Sequence, residues 1–294
     1  MTTSEKGRDA RRKLGIYVHL PFCAKKCGYC DFLSFVNRDP AFHAYYTQQL
    51  ILEITGRSSI YGNDFTVDSV FLGGGTPSLV APARIEELLD AICARFRVAD
   101  DAEVTMEANP GTIGAEGLHD CRRAGVTRLS IGAQSFDPRI LGFLGRIHGA
   151  EDTRRVYAAA RAAGFENINL DLIFGIPSER IETWEGDVAA AVALEPEHIS
   201  FYSLQFEEGT PLWGDLMDGR IEELSDIEDR RMYHGAIDAL AQAGYAHYEI
   251  SNAAKPGFES RHNLKYWSMD DYLGVGLGAH SYVNGRRFAN TSVR

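Results

Sequence analysis

The sequence predicts an α/β fold: an open, partial barrel of six βα units followed by a smaller α+β region. Three observations carry that expectation. Short β-branched runs alternate with amphipathic helical stretches. Six such units are too few for a closed eight-stranded barrel. The alternation then stops after Leu204. Strands are predicted at 15–20, 69–72, 103–107, 128–131, 169–174 and 199–204, with helices near 40–55, 82–96, 115–124, 150–163 and 181–194. The clearest helix carries Ile85, Leu88, Leu89, Ile92, Cys93 and Phe96 at i, i+3, i+4, i+7, i+8 and i+11. That spacing puts Cys93 on a core face as an inert buried thiol, and Cys121 is read the same way.

Past Leu204, Gly209-Thr-Pro211 signals a turn, and an acidic stretch at 222–229 opens a helix bearing Ile227, Tyr233, Ile237, Leu240 and Ala241. The chain therefore divides into a tail at 1–14, a barrel at 15–220 and a C-terminal region at 221–294. Its end reads as a hairpin strand without a stop signal, so the sequence is expected to be a fragment of something longer. Thirty Lys and Arg against 41 Asp and Glu leave −11, which argues against a nucleic-acid partner. No run approaches the roughly 20 apolar residues of a membrane span, and the N-terminus lacks a signal-peptide core. A cytoplasmic protein is expected.

Five cysteines are unevenly spread, with Cys23, Cys27 and Cys30 inside eight residues. In a reducing compartment such a cluster reads as metal-binding or catalytic before it reads as a disulfide framework. Three thiolates can hold three irons of a cubane and leave the fourth open to a ligand. Lys25 and Lys26 would favour the thiolate forms. A zinc site completed by His19 or a distant histidine stays open, although no second cysteine or histidine pair follows at zinc spacing.

Ligands of parallel barrels collect where the strands end. Strand two ends in Gly73-Gly-Gly-Thr-Pro77, where three glycines let backbone groups approach a ligand. No Gly-Lys-Ser/Thr follows, so this is not a phosphate-binding P-loop. Strand three ends at Glu107, strand four at Gln134, and strand five holds Asp171 between Leu170 and Leu172. An unpaired carboxylate in a buried strand would cost several kcal/mol, so Asp171 needs a partner, for which Arg146 is the candidate. A purely structural Asp–Arg pair remains the alternative.

C-x3-C-x2-C after a first strand resembles the radical SAM superfamily. Tyr17, the three cysteines, Gly73-Gly-Gly-Thr-Pro77, Glu107-Ala-Asn-Pro110, Gly132-Ala-Gln-Ser-Phe136, Gly145-Arg-Ile-His148 and Asp171-Leu-Ile-Phe-Gly-Ile-Pro177 are similar to its oxygen-independent coproporphyrinogen III oxidase branch. The resemblance implies a partial (β/α)6 radical SAM barrel. It also implies a [4Fe–4S] cluster on Cys23, Cys27 and Cys30, with S-adenosylmethionine chelated at the open iron. Tyr29 would pack on the adenine, and Tyr17, Gly74, Gly75, Thr76, Glu107, Gln134, Arg146 and Asp171 would line the cofactor site.

The true oxidases carry a further cysteine where this chain has Phe32, and a long N-terminal extension where it has sixteen residues before Tyr17. Both departures point instead to the HemW-type haem chaperones, as does Arg261-His-Asn-Leu-Lys-Tyr-Trp267, which resembles their H-N-x-x-Y-W motif. By residue type, His262 and Tyr266 are haem-iron ligands and Trp267 is a stacking face, though a histidine beside Asn can equally serve as a cap. The resemblance implies haem and a haem-acceptor protein as partners; a membrane-associated acceptor fits, but the chain shows no membrane segment of its own. A radical SAM oxidase or decarboxylase acting on coproporphyrinogen III or a related tetrapyrrole is the alternative. Gly274-Val-Gly-Leu-Gly-Ala279 follows no βαβ strand and is not a dinucleotide fingerprint.

Overall fold

The computed structural model describes residues 11–293. The chain opens with β1 (Arg12–Leu20), the short strands β2 (Phe22–Cys23) and β3 (Phe35–Val36), and α1 (Pro40–Tyr61). Next come β4 (Phe65–Gly74), α2 (Pro82–Arg95), β5 (Arg97–Ala108), α3 (Ala115–Arg123) and β6 (Arg128–Gln134). After α4 (Pro138–Phe143) and α5 (Ala150–Ala162) follow β7 (Asn167–Phe174), α6 (Ile181–Val192), β8 (His198–Ser203) and α7 (Pro211–Met217). The remainder is α8 (Asp226–Gln242), β9 (Ala246–Glu249), β10 (Asn252–Ala254), α9 (Arg261–Ser268), β11 (Tyr272–Val275), β12 (His280–Val283) and β13 (Arg286–Ala289). All six predicted strands and five predicted helices are present.

Among the described residues, eleven strands form one sheet in the order β13-β12-β11-β1-β4-β5-β6-β7-β8-β10-β9. The central six, β1 and β4 to β8, are parallel neighbours. Their two faces are written in alternate residues. Leu14, Ile16, Val18 and Leu20 of β1, Leu129, Ile131 and Ala133 of β6, and Ile168, Leu170 and Leu172 of β7 are all fully buried in one apolar core. That face lies under the helices. The interleaved positions (Tyr17, His19, Glu107, Ser130, Gln134, Asn169, Asp171) form the inner face of the partial barrel. Strands buried on both faces normally read as continuous apolar runs, so this polar inner layer marks a face reserved for something other than core.

Three expectations change. Residues 1–10 of the predicted tail lie outside the described residues, and Arg12, Lys13 and Leu14 belong to β1. The division after residue 220 is a change of rhythm rather than a break in the sheet: β10 pairs with β8 at one end, and β11 runs parallel to β1 at the other. Cys93 is exposed rather than buried. Ile85, Leu88, Leu89 and Ile92 fill the buried stripe of α2, and a residue one step further has rotated about 100° off it. Cys121 is buried, and burial pushes its thiol up to about 12, as an inert core cysteine requires.

Candidate functional site

β1 delivers the chain to the loop that holds the three cysteines, at the end of the barrel where β4 to β8 also finish. A cavity of about 430 Å³ opens there. Its walls include Cys23, Cys27, Cys30, Tyr29, Gly74, Gly75, Thr76, Glu107, Gln134, Arg146 and Asp171. Eleven of the fourteen predicted site residues thus meet in one place. The other three, Tyr17, His262 and Tyr266, do not line it. The volume falls within the range of small-molecule sites.

Hydrogen-bond donors converge on the sulfurs. Thr76 Oγ1 lies 3.8 Å from Cys23 Sγ and donates to it, while accepting from Asn109 Nδ2 at 2.9 Å. Arg146 donates from Nη1 to Cys27 Sγ at 3.7 Å and from Nη2 to Gly132 O at 2.9 Å and to Asn109 Oδ1. Asn109 therefore ties the two arms into one chain running from the Cys23 thiol through hydroxyl, amide and guanidinium to the Cys27 thiol. Donors aimed at sulfur favour thiolate. Burial pushes the Cys30 thiol up, opposed by a hydrogen bond from the Phe32 N–H, so metal binding there must displace a proton. Lys26 is engaged otherwise than expected: its ammonium donates to Phe32 O at 3.2 Å and Ser34 O at 3.4 Å, bracing the loop.

The three glycines serve packing as well as access. Gly74 adopts φ +115°, and its N–H donates to Glu107 Oε2 at 3.1 Å. A Cβ on Gly75 would stand 2.6 Å from Phe22 O, in the backbone leading to Cys23. The loop after β4 thus presses directly on the cysteine loop, which only glycine permits.

Asp171 does not pair with Arg146, which is taken up by Cys27, Gly132 and Asn109. Instead Asp171 accepts from Asn169 Nδ2 at 2.7 Å and from Ser130 Oγ at 3.2 Å, both on the same inner face. Burial raises its carboxyl above the usual range, against those donors and the charge of Arg128. Glu107 is pushed up to about 8, by burial first and by Asp171 second. Both carboxyls touch the cavity yet are crowded by protein on all other sides. Arg146 Nε and His148 Nδ1 are buried there without a partner. Two carboxyls with raised affinity for protons and two orphaned nitrogens are what a site completed by a ligand leaves behind.

The three thiols, the donors aimed at them and the adjoining cavity suit a cubane with one open corner. Among the described residues, no three His, Cys, Asp or Glu side chains gather around a single-ion position; a cubane instead offers each thiolate its own corner.

Tyr17 and the α9 residues occupy the opposite part of the inner face. Gly15, Ser69 and Glu103 stand in register on β1, β4 and β5, about 16 Å of strand below the end of β1. α9 lies against all three. Glu103 accepts from the N–H groups of Arg261 and His262, both at 3.3 Å, neutralising the positive end of the helix. His262 is 1% exposed, with Nδ1 2.9 Å from Ser69 Oγ and Nε2 3.0 Å from the Tyr266 hydroxyl. A Cβ on Gly15 would come within 3.1 Å of the imidazole. Lys265 is buried and meets Asp68 Oδ1 at 2.7 Å as a charge pair without hydrogen-bond alignment. Tyr17 donates to His19 Nδ1 at 3.0 Å, and His19 Nε2–H donates to Leu33 O at 2.8 Å. Tyr266, Trp267 and Met269 are exposed. Sequence reasoning missed Asn109, Ser130, His148, Asn169 and Glu103; Asn109 sat inside a quoted motif, two residues past Glu107.

Residues 17–191 match the radical SAM superfamily model. Over 285 residues the chain is 41% identical to heme chaperone HemW of Escherichia coli (strain K12), spanning 96% of this chain and 74% of that one. It is 37% identical to heme chaperone HemW of Bacillus subtilis (strain 168), spanning 93% and 72%. The structure of coproporphyrinogen III oxidase HemN from Escherichia coli, a radical SAM enzyme, superimposes with a TM-score of 0.83 at 25% identity, over 96% of this chain and 67% of that one. The chain belongs to the radical SAM superfamily and, within it, to the HemW family of haem chaperones.

Proposed function

We propose that the protein binds haem and passes it to an acceptor protein, and that it carries a [4Fe–4S] cluster and exchangeable S-adenosylmethionine. The observation that carries this reading is 41% identity to a protein named heme chaperone HemW along 96% of the chain. Cys23, Cys27 and Cys30 would hold the cluster, whose open iron supplies a coordination site for the amino and carboxylate groups of the cofactor. Gly74, Gly75, Thr76, Glu107, Gln134, Arg146 and Asp171 would bind and orient that cofactor, Tyr29 would pack against it, and Tyr17 would support the wall from below through His19. Arg146 and Thr76 hold the sulfurs by donating to them. Free thiols in such a cluster suit a reducing compartment, in keeping with a cytoplasmic location. Among the described residues no helix is long and apolar enough to cross a membrane.

Haem is assigned to α9, with His262 and Tyr266 as the ligand candidates and Trp267 as the apolar face. Anaerobic titration with haem, read at the Soret band, tests this: wild type saturates and His262→Ala loses the ligated spectrum. Haem uptake by wild type no better than by an unrelated acidic protein would refute the chaperone reading. Offering haem-loaded protein soluble and membrane-bound apo-haemoproteins separates the acceptor classes.

The oxidase reading draws on the superposition with HemN. Formation of protoporphyrinogen from coproporphyrinogen under reducing, anaerobic conditions would establish it. Phe32, exposed at the cavity rim, stands against it.

A further inference from the structure

The polar residues between the cavity and α9 form one continuous chain of hydrogen bonds. The Ser260 N–H, at the cap of α9, donates to the Tyr248 hydroxyl at 3.2 Å. That hydroxyl donates to His198 Nε2 at 2.8 Å, and His198 Nδ1–H donates to Asn169 Oδ1 at 2.6 Å. Asn169 Nδ2 then donates to Asp171 at 2.7 Å, in the cavity wall. Every donor points the same way, from the helix cap to the carboxylate. Such a polarised run in a dry interior strengthens or weakens as a unit. Asn169 and His198 are each 1% exposed, so water cannot replace the link between them, while Tyr248 is half-buried.

At the far end, α9 is held in a closed position. Both imidazole nitrogens of His262 are engaged and its ring is buried. An iron ligand needs one free ring nitrogen, so ligation through His262 requires Tyr266 to release Nε2 and the buried ring to be uncovered, which a lifted helix would accomplish. Rising would break the Glu103 cap and the Ser260–Tyr248 bond together.

We infer that the chain Asp171–Asn169–His198–Tyr248 couples the cofactor cavity to α9, so that S-adenosylmethionine in the cavity loosens the helix cap and raises the affinity for haem. A cofactor hydroxyl or ammonium donating to Asp171 competes with the Asn169 N–H and slackens every link behind it. Tyr248 and His198 are positioning residues that touch neither ligand. The inference rests on haem ligation through His262, and coupling of this kind is reciprocal: haem must tighten S-adenosylmethionine by the same factor.

The test uses the full chain with its cluster, titrated with haem in the presence and absence of saturating S-adenosylmethionine. Wild type should bind haem about tenfold more tightly with the cofactor, within the usual range of coupling between sites. Tyr248→Phe, which deletes one hydroxyl, should keep both binding events and lose most of that factor. In haem-free protein, hydrogen exchange at the amides of residues 260–263 should quicken with S-adenosylmethionine in wild type and not in Tyr248→Phe. A full tenfold effect retained in Tyr248→Phe, or no effect in wild type, overturns the coupling. Ligated haem in His262→Ala overturns the haem assignment itself, an outcome that the haem-free exchange measurement keeps separate.

Discussion

The mouth and the floor of the partial barrel are lined by the same kind of residue and have opposite characters. At the mouth, Glu107 and Asp171 hold protons more tightly than usual, and Arg146 and His148 each leave a buried nitrogen unpaired. At the floor, the imidazole of His262, the carboxylate of Glu103 and the ammonium of Lys265 all have partners within the protein. Both ends leave buried polar atoms without a hydrogen bond, Asp68 Oδ1 and Arg128 Nε at the floor included, but only the mouth adjoins open volume, while the floor's polar groups close on α9. The mouth suits a ligand, and the floor fastens a helix.

The most severe way to break the contrast is to remove one sulfur. Cys27→Ala should retain only background iron and sulfide after anaerobic reconstitution, whereas Cys121→Ala, buried elsewhere, should retain the wild-type content. At the floor, Lys265→Ala strands the buried Asp68 carboxylate. Loss of a buried partner costs about 3–5 kcal/mol, which urea denaturation would read as a lowered midpoint, with the cavity and its cofactor affinity intact in the protein that remains folded. Lys13, 3.7 Å from Asp68 but mostly exposed, offers little compensation.

Glu107 sharpens the comparison through pH. Its folded value of about 8 lies above the ordinary carboxyl value of 4.5, so the folded chain keeps a proton that the unfolded chain gives up. Without cofactor, the contribution of Glu107 to stability is therefore whole below pH 4.5, falls as pH rises toward 8, and is level beyond. Glu107→Gln should be flatter across that window, by about 2–4 kcal/mol at pH 8, in chemical denaturation at several pH values. The smallest effect belongs to Cys93→Ser, on the exposed side of α2: a change within about 0.5 kcal/mol, as for surface substitutions generally. A larger loss would restore the buried thiol that helical spacing alone suggested.

The mouth was largely legible in the sequence and the floor was not. Cys23, Gly74, Glu107, Gln134 and Asp171 each sit at or near the end of a strand, and a parallel sheet gathers strand ends without further information. Partnership was less readable. Arg146 carries the complementary charge, yet Asp171 is satisfied by Asn169, two residues back on its own strand, and by Ser130, which stands in register with that Asn169 on the next strand. That depends on register, which local sequence leaves unstated. His262 was recognisable as a chemical type, but nothing near it in the chain announces Ser69 or Glu103, some 160 to 190 residues earlier. Cys93 was misplaced because i+8 lies at the edge of a helical stripe, where a small rotation decides between core and water.

The most direct test of the receiving site is equilibrium dialysis of labelled S-adenosylmethionine against the protein, prepared with and without its iron and sulfide. One equivalent should be held by the loaded protein, and the stripped protein should bind at least about tenfold more weakly, the loss of one good coordinating contact. Equal affinity in the two preparations would mean that the cavity grips the nucleoside without the metal corner, and the three sulfurs would then need another explanation.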